Sequence, residues 1–143
     1  MRKSIVILMA FLFVSLCAAS AQVISFGLGD AALETSLNSI GASAKMDAAG
    51  FQAEISLTWG QTAASVQMAM SQGLQPAEVY FAAALAKISG KPLTMVVELY
   101  KKNNNKGWGA LAKELGIKPG SPEFKALKDK ASASSDKLTK NKK

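Results

Sequence analysis

The sequence predicts an all-α fold: a compact orthogonal array of about five or six short helices, after a cleaved signal peptide and before a disordered basic tail. Three observations carry this expectation. Apolar residues recur at helical spacing through the middle of the chain, glycine and proline punctuate it at regular intervals, and no alternating strand of useful length appears.

Residues 1–21 read as a secretory signal peptide. Arg2 and Lys3 are followed by a charge-free run, apolar from Ile5 to Leu16, that ends in Ala19-Ser20-Ala21. The apolar core is shorter than the roughly 20 residues that span a bilayer, which favours cleavage after Ala21 over a permanent anchor. Leu16 before Cys17 and Val14 further back do not suit lipidation. Cleavage removes Cys17, Arg2 and Lys3, leaving 15 lysines and 10 acids, a net charge of +5 against +7 for the whole chain.

Residues 22–46 form the next segment. Leu33 to Ile40 admits a helix, an extended arm or disorder; the Gly, Ser and Ala content argues against rigid order, so the segment is read as a flexible or weakly structured arm.

The helical domain is placed at 47–129, with helices near 47–59, 62–72, 76–89, 92–102, 108–115 and 122–129. Phe51, Ile55 and Trp59 make one stripe, and Ala63, Val66 and Met70 a second. Phe81, Ala84, Leu85 and Ile88 follow the i, i+3, i+4, i+7 template, as do Leu93, Val96, Val97 and Tyr100, and Trp108, Leu111, Ala112 and Leu115. Gly60, Gly73, Gly90 and Gly116 stand where helices end, and Pro76, Pro92 and Pro122 where they begin. Val79, Ala82, Ala83 and Ala86 add a second apolar face to the 76–89 segment, which makes it the central helix. Helices this short are marginal alone, and short connections force them into a compact array. Residues 130–143, rich in Lys, Ser and Ala with one leucine, read as a disordered tail.

Composition removes several functions. No histidine is present, so a His-based triad and His-ligated metals are excluded. A single cysteine forms no internal disulfide. The charge is divided: residues 22–100 carry three lysines and six acids, whereas residues 101–143 carry twelve lysines and four acids. Such a basic third suits an anionic partner, although charge runs most often only solvate a terminus.

The most distinctive local feature is Lys106-Gly107-Trp108-Gly109. Two glycines beside an aromatic let the backbone approach something closely. Trp108 is either an aromatic platform beside Lys106 and Lys113 or a core residue, and its stripe with Leu111 and Leu115 favours the core. Ala86, Gly90 and Val96 fit the spacing of a helix-turn-helix, but the second helix offers few DNA-reading side chains and the chain is expected to be exported, so no nucleic acid is expected. Lys118-Pro119-Gly120-Ser121-Pro122 reads as a structural turn. Ser134 and Lys137 have Ser-x-x-Lys spacing, but a solvated tail supplies no desolvated pocket for a lysine base. The carboxylates are scattered, and neither a phosphate loop nor a calcium loop occurs, so no metal or cofactor is expected.

From Gln75 to Lys128 the chain resembles an uncharacterised family of small, exported bacterial helical proteins. The resemblance rests on the block Lys106-Gly-Trp-Gly-Ala-Leu-Ala-Lys-Glu-Leu-Gly-Ile-Lys-Pro-Gly-Ser-Pro-Glu-Phe-Lys-Ala-Leu-Lys128. Members often carry histidine where this chain has Lys125. The resemblance implies an exported helical domain and supplies no reaction.

The expected function is that of an exported, non-enzymatic envelope protein, periplasmic or extracellular, acting as an interaction or structural module. Lys106, Trp108, Lys113, Lys118, Lys125 and Lys128 are its candidate interaction residues, with an anionic lipid, cell-wall polymer or acidic protein as partner. The alternative is a carboxylate-dependent hydrolase of the envelope, drawing on Glu78, Glu98 and Glu114.

Overall fold

A computed structural model of the chain describes residues 23–103 and 106–141. The expected signal peptide, residues 1–21, lies outside the described residues. The fold is all-α: α1 (Ala31–Met46), α2 (Ala48–Trp59), α3 (Ala63–Ser71), α4 (Pro76–Ser89), α5 (Leu93–Lys102), α6 (Gly107–Glu114) and α7 (Pro122–Lys140). No strand occurs among the described residues. The five segments expected between 47 and 115 emerge as α2 to α6, with no end displaced by more than one residue. Gly60 and Gly90 end α2 and α4 in the left-handed conformation, φ 67° and 71°, where a Cβ would be strained.

The central helix is α4. Pro76 opens it, the Gln75 N–H donates to Glu78 Oε1 at 3.0 Å, and every residue from Val79 to Ala86 is buried. Its alanines let α1, α2, α3 and α5 all pack on it. In α3 the buried residues are Val66 and Ala69; Ala63 and Met70, expected on the same stripe, are exposed. A nine-residue helix touching α4 and α5 presents only a narrow inner face.

Two segments correct the sequence expectation. The first is 22–46, read as a loose arm. Asp30 caps α1 by accepting the Leu33 N–H at 3.0 Å, and Leu33, Leu37, Ile40 and Ala44 form a buried stripe. Gly41 is there for close packing: a Cβ on it would sit 2.9 Å from Ala77 Cβ, so α1 crosses α4 almost backbone to backbone. Ahead of α1, residues 23–29 form an irregular strap, with Gly27 and Gly29 at positive φ. Ile24, Phe26 and Leu28 turn inward while Val23, Ser25, Gly27 and Gly29 stay exposed.

The second correction concerns 130–143, read as a disordered tail. Instead α7 continues to Lys140, a length of about 28 Å at 1.5 Å per residue. Ala131, Ser134 and Leu138 prolong the buried stripe begun by Phe124 and Leu127, and this face packs on α1 and α2. Periodicity, not average composition, decides the outcome: three small or apolar residues on one face suffice where the neighbour approaches closely.

Candidate functional site

Trp108 belongs to the core and is not a platform. It is 2% exposed, its ring stacks on Tyr100 at 3.8 Å between centroids, and Phe81 meets it edge-on at 5.7 Å. Its indole N–H donates to Glu78 Oε2 at 2.9 Å. Burial, and then the Glu78 carboxylate, push the Tyr100 hydroxyl above its ordinary range. The close approach signalled by the glycines is real, but its object is the chain itself. The Gly109 N–H donates to the Phe26 carbonyl at 2.9 Å, and a Cβ on Gly109 would overlap the Gly27 carbonyl oxygen. The strap takes up the close approach that the two glycines permit.

The candidate lysines separate. Lys125 and Lys128 line a groove of about 310 Å³ at the corner where the α6–α7 turn meets the start of α1, with Asp30, Pro119 and Phe124. Lys113 lines an adjoining cleft that shares Pro119 and Phe124. Lys118, exposed, precedes Pro119. Four of the five candidate lysines thus surround one corner. Lys106 stands at the opposite end of α6, about 10 Å from Lys113 along the axis, and does not join them.

Asp30 tempers this corner. Its Oδ2 accepts Lys128 Nζ at 2.9 Å while Oδ1 caps α1. The Leu33 N–H first, and Lys128 second, hold its carboxyl below the ordinary aspartate range. The second ion pair among the described residues joins Lys137 Nζ to Glu54 Oε2 at 3.7 Å. Both pairs connect the lysine-rich third to the acidic remainder, so part of the charge division seen in the sequence is closed within the fold.

Beyond the corner, the structure reveals a polar cluster that sequence reasoning passed over. Ser134 is 1% exposed, not solvated. Its Oγ accepts from the Tyr80 hydroxyl at 2.8 Å and donates to Glu54 Oε1 at 2.7 Å. Thr58 Oγ1 also donates to Glu54 Oε1, at 2.9 Å. Burial raises the Tyr80 hydroxyl, and the Ser134 bond opposes that rise. Lys137 reaches toward Glu54 and not Ser134, so the Ser-x-x-Lys spacing builds no serine–lysine pair. A groove of about 250 Å³ opens beside this cluster between α2 and α7. The available signal was that Glu54 is the one ionisable residue between Asp47 and Glu78.

Of the carboxylates offered for hydrolysis, Glu78 uses both oxygens structurally, on the Gln75 N–H and the Trp108 indole. Glu98 and Glu114 are exposed, on α5 and α6. Among the described residues no acidic cluster forms a metal-ligand set, and no helix is long and apolar enough to cross a membrane. Comparison with family models, with curated proteins and with solved structures returned no match to the chain.

Proposed function

We propose that the chain is an exported, non-enzymatic binding module of the cell envelope, and that its α6–α7 corner engages an anionic component there: lipid, cell-wall polymer or acidic protein. One observation carries the reading. Lys113, Lys118, Lys125 and Lys128 gather around one grooved corner, and only Lys128 is spent on an ion pair among the described residues. By contrast, residues 48–77 contain a single ionisable side chain, the buried Glu54. Positive charge is therefore concentrated where a polyanion can reach it.

The hydrolase alternative rests on Glu78, Glu98 and Glu114, of which Glu78 uses both oxygens structurally and Glu98 and Glu114 are exposed. The buried carboxylate beside a groove is Glu54, which that alternative did not name, and the groove has no second carboxylate in its lining.

The test is binding of residues 22–143 to anionic vesicles and cell-wall sacculi across a salt series. Near an anionic surface each lysine contributes about 1 kcal/mol, so changing Lys113, Lys118 and Lys125 together to Gln weakens binding by roughly 100-fold. The salt dependence flattens with it. No binding at low salt, or binding that the triple variant leaves intact, overturns the reading.

A further inference from the structure

We propose that the groove between α2 and α7 is a binding site for a small zwitterion: a primary ammonium a few bonds from an anionic group. The site lies on the flank of α7 opposite the lysine corner and stands independently of it.

Glu54 forms the floor, its side chain 8% exposed. Its two oxygens are treated differently. Oε1 is occupied by two hydroxyl donors, Thr58 and Ser134, and Ser134 is itself fixed by the Tyr80 hydroxyl. Oε2 accepts no hydrogen bond among the described residues, and Lys137 Nζ, 3.7 Å away, is beyond hydrogen-bond reach. Glu54 thus offers the groove one carboxylate oxygen whose single charged neighbour is the loosely placed Lys137, so a closer donor can still be accepted there. The Lys137 side chain is 63% exposed at the mouth of the groove.

The rim decides what kind of donor. Lys130 and Lys137, two helical turns apart on α7, both line the groove, and Lys130 is steadied over the Trp59 ring at 4.9 Å. A bare cation meets two ammonium groups on its way to Glu54. A bare anion, once between the lysines, faces the Glu54 carboxylate. A molecule carrying both charges satisfies floor and rim together: its ammonium donates to Oε2 and its anion sits between the lysines. At about 250 Å³ the groove suits a molecule of the size of an amino acid or of 2-aminoethyl phosphate.

Calorimetric titration of residues 22–143 tests this, with 2-aminoethyl phosphate, ethanolamine and inorganic phosphate as separate arms. Vesicles with a phosphatidylethanolamine headgroup, against phosphatidylcholine whose quaternary ammonium has no N–H to donate, form a further pair. The expected result is saturable binding of 2-aminoethyl phosphate, with ethanolamine and phosphate at least tenfold weaker. Binding confined to phosphatidylethanolamine vesicles assigns the same chemistry to a lipid headgroup. Glu54→Gln keeps an amide oxygen for Thr58 and Ser134 but removes the charge, and is expected to weaken binding at least tenfold. If circular dichroism shows that this variant does not fold, the paired rim variant Lys130→Gln with Lys137→Gln takes its place with the same expectation. The proposal is overturned by the absence of saturable binding in every arm, by phosphate or ethanolamine binding as tightly as the zwitterion, or by a folded variant that binds undiminished.

Discussion

The strap at residues 23–29 and the C-terminal half of α7 are the two ends of the described chain, and both lie against α1. They are held by different physics. The strap belongs to no helix or sheet among the described residues, so its backbone must find partners elsewhere. Asn38 supplies two: its side chain accepts the Ile24 N–H at 2.8 Å and donates to the Ile24 carbonyl at 2.9 Å. Glu34 accepts the Leu28 N–H at 3.0 Å, and the Gly109 N–H takes the Phe26 carbonyl. The α7 backbone satisfies itself, and its end is held by a stripe of side chains with one polar clasp at Ser134. An irregular end thus depends on a few tailored receptors, whereas a helical end spreads its dependence along a face.

The largest expected effect tests the strap's receptor. In an ordinary helix interior, glycine to alanine is favourable by about 1 kcal/mol. Gly109→Ala is expected to do the reverse. The new methyl collides with the Gly27 carbonyl, the strap lifts, and Phe26 and Leu28 leave the core at about 1.5–3 kcal/mol each. A net loss of roughly 3 kcal/mol in urea unfolding, with loss of amide protection at Ile24 and Leu28, is the signature. A stabilised variant breaks the account.

Smaller is the effect of opening the clasp at the other end. Ser134→Ala leaves Tyr80 with only its long 3.4 Å contact to the Lys130 carbonyl and takes one donor from Glu54. A loss of about 1 kcal/mol is expected, read as a shifted denaturation midpoint. A loss as large as that of Gly109→Ala would mean that the helical end is no less dependent on single contacts than the strap.

The smallest effect concerns the ion pair that ties the start of α1 to the first half of α7. Asp30 sits where the strap turns into α1, and Lys128 lies on α7. The folded Asp30 binds its proton less readily than the unfolded one, so its contribution is present above the ordinary aspartate range near 3.8 and fades as pH falls through the lowered folded value. Asp30→Asn keeps a capping oxygen and removes this pH-dependent part. Since the pair is solvent-accessible, the difference should stay below about 1 kcal/mol at pH 6 and shrink toward pH 3 in paired unfolding curves. A difference that does not shrink removes the charge from the explanation.

How far the sequence could be read follows the same division. Between Asp47 and Leu115 a glycine or proline stands at most helix ends and apolar residues recur at helical spacing, so α2 to α6 were legible. In α1 and the second half of α7 the inner faces use Gly41, Ala44, Ala131 and Ser134, and small residues look like looseness when counted by composition. The alternation of Ile24, Phe26 and Leu28 is visible, yet its receptors Asn38 and Gly109 stand 14 and 83 positions from the residues they hold. The corner lysines were legible because they lie within one short stretch. The cluster of Glu54, Tyr80 and Ser134 was not, since Glu54 and Ser134 are 80 positions apart.

The alanines of α4 have one more consequence. A methyl group has no rotamers, so burying Ala82, Ala83, Ala84 and Ala86 surrenders almost no side-chain freedom. The middle of the molecule therefore has little slack with which to absorb a disturbance. A larger side chain at one of these alanines is expected to displace a neighbouring helix as a whole, as between stacked pencils.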